Sequence, residues 1–156
     1  GRIEAIRDII PDCAISTDFI AGFCTETELD QDQTLTLMEW AKFDFAFMFK
    51  YSERPNTKAA RKLVDDVPED IKSRRLTEII ELQGKLSEQS KKNEIGKCFE
   101  VLIEGESKKS SNEFFGRTSQ NKVVVFPRQN QRIGDYVFVE ITDCTPATLL
   151  GKIVEE

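Results

Sequence analysis

Asp18, Gly22 and Glu26 fall in one stretch, A-I-S-T-D-F-I-A-G-F-C-T-E-T-E (Ala14–Glu28). Two carboxylates can share acid–base work, but no spacing rule marks these two as such a pair. They could equally hold a hydroxylated ligand or cap backbone. Gly22 lets backbone approach a ligand closely, and the N–H groups of a following helix would point back at the same place. A turn glycine with an ordinary cap accounts for the same residues. Tyr51, Arg54 and Thr57 follow a second apolar run, where they form either a second wall of that site or a plain surface turn. A third group is basic and aromatic: Lys108 and Lys109, Phe114 and Phe115, Arg117, Asn121 and Lys122. Cations that track a phosphate backbone beside rings that stack on bases make a nucleic-acid surface. A solvated loop over core phenylalanines is the alternative.

Other chemistry is bounded by what is missing. The sequence has no histidine, so histidine acid–base catalysis by this chain is excluded. Cys13, Cys24, Cys98 and Cys144 are too widely spaced for a zinc or C-x-x-C pattern, and no metal site is expected. Free thiols fit a reducing, cytoplasmic setting. A net charge of −6 argues against a globally basic nucleic-acid binder but leaves room for a local basic patch. No apolar run reaches the length of a membrane span, and nothing resembles a signal peptide. The chain opens on Gly1-Arg2-Ile3 without an initiator methionine, so an excised segment is expected.

The elements that must position these groups come next. Ile3, Ile6 and Ile10 predict a helix over Arg2–Ile10, stopped by Pro11. The apolar run to Phe23 predicts a strand, broken at Gly22, and Thr25-x-x-Glu28 predicts a capping box for the next helix. That helix, about Thr27–Lys42, sets Leu29, Leu37, Trp40 and Ala41 on one arc. Phe45–Tyr51 is apolar on both faces and predicts a strand covered on both sides in a parallel sheet. A polar loop, Ser52–Asp66, holds a possible helical turn near Ala59–Val64. Pro68 begins a long helix to Lys92, with Ile71, Leu76, Ile79, Ile80, Leu82 and Leu86 as its apolar stripe. From Lys97 the period becomes alternating. Strands at Lys97–Glu104, Glu113–Ser119, Lys122–Phe126, Asp135–Asp143 and Leu149–Val154 predict a small closed antiparallel barrel of the oligonucleotide-binding kind.

Several of these stretches, in order, resemble the radical S-adenosylmethionine methylthiotransferases, and most closely those that act on dimethylallyladenosine in tRNA. The motifs are I-P-D-C-A-I-S-T-D-F-I-A-G-F-x-x-E-T-E, F-D-F-A-F-M-F-K-Y-S-E-R-P-x-T-x-A and V-P-E-D-I-K-x-R-R-L. G-K-C-F-E-V-L-I-E-G and F-G-R-T-S-Q-N-K-V-V-V-F are similar to the family's RNA-binding TRAM domain. The resemblance implies a partial (half) radical S-adenosylmethionine α/β barrel at 1–67, a connecting helix at 68–94 and an OB-like TRAM barrel at 95–156. It maps the family's D-x-I-x-G-x-x-x-E cofactor motif onto Asp18, Ile20, Gly22 and Glu26, adds Tyr51, and puts Arg54 and Thr57 on a substrate-side rim. RNA contacts fall to Lys108, Lys109, Phe115, Arg117, Asn121 and Lys122, with the tRNA anticodon arm as partner. DNA is not an expected partner. Cys24-Thr25 stands where the family often has Pro-Gly, and Asn56 where it has Gly. The resemblance implies two [4Fe–4S] clusters in the parent enzyme, one held by a C-x-x-x-C-x-x-C triad and one by an amino-terminal domain; neither is in these residues, so the segment alone is expected to be inactive. Alternatives are a noncatalytic RNA-binding module, or a methylthiotransferase for threonylcarbamoyladenosine or a ribosomal protein.

Overall fold

A computed structural model describes residues 1–154; Glu155 and Glu156, the end of the expected 95–156 barrel, lie outside them. The chain divides into two compact units, Gly1–Ile9 with Ile15–Ser87, and Ile10–Ala14 with the residues from Glu88 onward.

The first unit contains α1 (Arg2–Ile9), β1 (Ser16–Ala21), α2 (Glu28–Ala41), β2 (Phe45–Lys50), α3 (Lys58–Lys62) and most of α4 (Glu69–Lys92). β1 and β2 pair in parallel, with Asp18 opposite Phe47 and Ile20 opposite Phe49. Strand alternation sends Phe19 and Ala21 into the core with Met38, Ala41, Phe43 and Ile79. The opposite face of the sheet is open. Phe47 is 60% exposed, Phe49 56% and Ile20 54%, so β2 is covered on one side and not on both as its composition predicts.

The capping box sits two residues later than Thr25 and Glu28. Thr27 is the N-cap, its side chain accepts from Asp30 N, and the Asp30 side chain accepts from Thr27 N. Thr25 cannot serve, because its backbone is left-handed, with φ at 67°. α2 also turns differently from its expected arc: Gln31, Met38 and Ala41 are buried, while Leu29, Leu37 and Trp40 are exposed. Met38 and Ala41 are three apart and Gln31 is seven before Met38, which is a helical face centred away from the leucines. α4 likewise buries Lys72, Arg75 and Gln83 beside Ile79, and leaves Ile80 exposed. The Gln83 amide N–H donates to Phe43 O at 2.8 Å, and Gln31 Nε2 donates to Arg75 O at 3.2 Å, so the buried amide donors find partners on neighbouring backbone.

The second unit is a closed five-stranded barrel in the order β3-β4-β5-β7-β6, from Cys98–Ser107, Ser110–Thr118, Val123–Pro127, Leu149–Val154 and Tyr136–Cys144. It is mixed, not wholly antiparallel: β5 and β7 run parallel, with Val124 opposite Leu149. Five is an odd number, so a ring of strands cannot alternate direction all the way round. Val101, Ile103, Phe114, Val124, Phe126, Val139, Ile141 and Leu149 fill the interior. Gly116 is required where β4 crosses β3, since a Cβ there would lie 2.2 Å from Leu102 O.

Candidate cofactor cleft and candidate nucleic-acid interface

The open face of the β1–β2 sheet ends in a cleft of about 610 Å³ lined by Asp18, Ile20, Phe23, Phe49, Tyr51, Arg54 and Thr57, among others. The size lies in the range of small-molecule pockets. Parallel pairing explains the convergence, because both strands deliver their C-terminal residues to one edge. Thr57 caps the short α3, its side chain accepting from Ala60 N at 3.2 Å, which fixes one wall. Tyr51 is buried, and its Oη has no hydrogen-bond partner among the described residues. The Cys24 sulfur, ahead of burial, pushes the Tyr51 phenol up to about 12. The phenol is therefore a neutral donor near neutral pH.

Gly22 and Glu26 do not line this cleft. Glu26 accepts from Gly22 N at 2.9 Å and from Arg75 Nη1 at 2.8 Å. The Arg75 side chain is 4% exposed and also holds Glu26 O and the Glu28 carboxylate. Burial alone would lower the Arg75 pKa, but Glu28 and Glu26 more than offset it and raise it. Glu26 thus ties the turn after β1 to α4, beside a separate hollow lined by Thr25, Asp66 and Ile71. The space left by Gly22 is filled by Lys72, whose Nζ pairs with Asp65 at 2.6 Å and lies 5.4 Å from the Tyr51 ring centre. Lys72 and Arg75 stand one turn apart on α4, and their charge hid this inward role within the helix pattern.

Thr25 and Asn56 both have left-handed backbone, with φ of 67° and 68°. These are positions at which a glycine is unstrained, and Thr25 is held there by its N–H donating to Asp66 Oδ1 at 2.7 Å. Among the described residues no group of three or more His, Cys, Asp or Glu side chains could hold a metal ion. The four cysteines are free.

On the barrel, Lys108 and Lys109 are exposed at the β3–β4 turn. Arg117 points outward; its Nε pairs with Glu104 at 3.2 Å and its Nη1 donates to Asn121 Oδ1 at 3.0 Å. Phe115 is half-buried opposite Gly105, whereas Phe114 is inside the barrel 6.5 Å from Phe126. Lys122 stands apart from the group. Its side chain is 9% exposed and pairs at 2.8 Å with Glu94, itself 7% exposed, which makes it part of the barrel's own ion-pair network with Lys97. A buried pair of this kind holds structure and is not open to phosphate.

Residues 92–154 match the TRAM domain family. The chain is 58% identical over 154 residues to a Porphyromonas gingivalis protein named tRNA-2-methylthio-N(6)-dimethylallyladenosine synthase, covering 99% of this chain and 33% of that one. Proteins of the same name from Phocaeicola vulgatus and Chloroherpeton thalassium are 58% and 55% identical, over 98% and 97% of this chain and 34% of each of theirs. The chain therefore spans about a third of the length of the curated relatives it matches. A solution structure of a conserved protein from Methanococcus maripaludis aligns with 40% of this chain and 81% of its own, at 27% identity and a TM-score of 0.34.

Proposed function

We propose that this chain is a carboxy-terminal portion of a tRNA methylthiotransferase, an enzyme that inserts a methylthio group into the isopentenylated adenosine beside the anticodon. The observation that carries this reading is 58% identity across 99% of the chain, through both the cleft and the TRAM domain. In it, residues 1–67 are part of a radical S-adenosylmethionine barrel, 68–94 a connecting helix and 95–156 the tRNA-binding domain.

The cleft residues fit S-adenosylmethionine. An open, largely apolar wall of Ile20 and Phe49 suits a flat base, and the exposed Asp18 carboxylate suits hydroxyl or ammonium donors. Tyr51 Oη is buried beside the Cys24 sulfur and makes no hydrogen bond to a protein oxygen or nitrogen among the described residues. When bound, this cofactor supplies the radical and the methyl group of the reaction. The protein's part is to bind, orient and keep water out: Asp18, Ile20 and Tyr51 on the cofactor side, Arg54 and Thr57 toward the substrate. Gly22 and Glu26 support the site from behind by fixing the turn that follows β1.

The iron–sulfur clusters do not fit here. The four cysteines are scattered through the chain, and none belongs to a metal-holding group among the described residues. Their ligands belong to the remaining two thirds of the enzyme, so this segment alone is inactive. Among the described residues no helix is long and apolar enough to cross a membrane, which suits work on cytoplasmic tRNA.

The test is made on the whole gene. Its deletion should remove methylthiolated isopentenyladenosine from digested bulk tRNA, measured by mass spectrometry, and the wild-type gene should restore it. Loss of the threonylcarbamoyl form would move the substrate, and an unchanged nucleoside profile would overturn the tRNA reading.

A further inference from the structure

Tyr136 is 65% exposed, more than Phe47, Phe49, Trp40 or Phe23, and it opens β6, paired with Leu102 of β3. Its register is informative. Tyr136 lies opposite Leu102, Leu102 lies opposite Arg117, and Arg117 lies opposite Val123, making one row across four strands. The neighbours of this row in each strand, Val101, Ile103, Gly116, Thr118, Val124 and Val137, are buried. Alternation therefore puts Tyr136, Leu102 and Arg117 together on the outer surface. The turn before β6 is tied to the same place, with Gly134 N donating to Ile103 O at 2.9 Å and Ile103 N to Asp135 O at 2.9 Å.

The chemistry of the row is particular. Arg117 is gripped at its edge by Glu104 and Asn121, which fixes the guanidinium plane and leaves its flat faces for stacking. Leu102 is a half-buried shelf between two planar groups. Tyr136 and Arg117 stand two strands apart, about 10 Å by ordinary sheet spacing, which suits bases splayed out of a stack more than a continuous duplex. Residues 95–156 carry eight Lys and Arg against nine Asp and Glu, while residues 1–94 carry fourteen against nineteen. The barrel is thus the less acidic part of the chain, and the part that repels an anionic strand less.

We propose that Tyr136 is an RNA-binding residue, stacking on an unpaired base of the tRNA loop with Leu102 as its floor and Arg117 as the second stacking plane. This rests on the reading of the barrel as the tRNA-holding domain and adds to it a position, a residue and the class of nucleotide contacted.

The experiment titrates the 156-residue chain with a fluorescent tRNA anticodon stem-loop, and with a blunt-ended, fully paired two-strand RNA duplex of similar size. Tyr136→Ala should weaken stem-loop binding about tenfold, as expected for one lost base–aromatic stack. Tyr136→Trp and Tyr136→Phe should retain it. The salt dependence should not change, because stacking releases no counterions. Duplex binding should be the same for all variants. Stem-loop binding by Tyr136→Ala equal to wild type overturns the Tyr136 assignment while leaving the RNA reading intact. Failure of the wild-type chain to bind the stem-loop overturns the RNA reading itself. A Tyr136→Ala chain that loses self-association in the ultracentrifuge but keeps its RNA affinity assigns the row to a second copy instead, and also overturns the proposal.

Discussion

Gly22 and Lys72 compete for one volume: a Cβ on Gly22 would lie 2.3 Å from Lys72 Cγ and 3.2 Å from its Cα. The glycine also has φ at 72°. Gly22→Ala should therefore destabilise the first unit by about 2–4 kcal/mol, combining left-handed strain with overpacking. Trp40, the single tryptophan, lies in that unit and reports its urea transition. In a Lys72→Ala background the same substitution should cost less, because the two sites share space. An unmoved midpoint for Gly22→Ala would contradict the close contact.

Thr25 offers the opposite experiment. A β-branched residue is strained at φ of 67°, and glycine is not. Thr25→Gly should stabilise the first unit by about 1 kcal/mol. Asn56→Gly should gain less, since asparagine tolerates this conformation better. Calorimetry on the two variants checks the order.

Arg75 holds both Glu26 and Glu28 while itself buried. Arg75→Ala leaves the Glu26 carboxylate, 13% exposed, without its cation and should cost about 3–5 kcal/mol. Arg75→Lys should recover only part of this, because an ammonium cannot serve two carboxylates and a carbonyl in one plane. Full recovery by lysine would show that the fork geometry is unimportant.

Stability should vary with pH at both ends of the range. Arg74, then Arg75, holds Glu28 below the ordinary carboxylate value, and the Thr27 side chain does the same for Asp30. A depressed carboxylate stabilises the fold above its unfolded pKa, and that contribution is lost as the pH falls below about 4. Glu28→Gln should flatten the acid limb of the stability profile. Tyr51 behaves in the reverse sense, its raised value making its contribution complete below its unfolded pKa, about 10, and lost as the pH rises toward about 12. In a Tyr136→Phe chain, absorbance should show Tyr51 ionising near 12, and Cys24→Ala should bring that midpoint down. An unmoved midpoint would remove Cys24 as the cause.

The open sheet face bears on behaviour in solution. With Ile20, Phe47 and Phe49 each more than half exposed on one surface, the chain should associate as its concentration rises. Phe47→Glu with Phe49→Lys should shift sedimentation toward monomer. A wild-type chain that stays monodisperse at high concentration would mean that this face is covered by some other means.

The kinds and order of the elements are legible in the residue types alone. Gly22, Pro68 and the turn at Lys108-Lys109 punctuate the chain chemically, and the change from helical to alternating periodicity near Lys97 is a property of residue types alone. The absence of histidine likewise excludes histidine chemistry. What residue types could not decide was which side of each element faces inward. The capping box at Thr27 rather than Thr25 depended on a backbone dihedral set by the turn. On α2 a buried amide, Gln31, lies inward in place of Leu29 and Leu37; on α4 Lys72 and Arg75 find buried partners beside a stripe, Leu76, Ile79, Leu82 and Leu86, that still packs on the core. Lys108 and Lys122 read alike along the chain, yet only the fold gives Lys122 a buried carboxylate in Glu94 and leaves Lys108 in water. Residue type determines what a side chain can do; long-range pairing, between residues such as Gly22 and Lys72 or Tyr136 and Leu102, decides what it does.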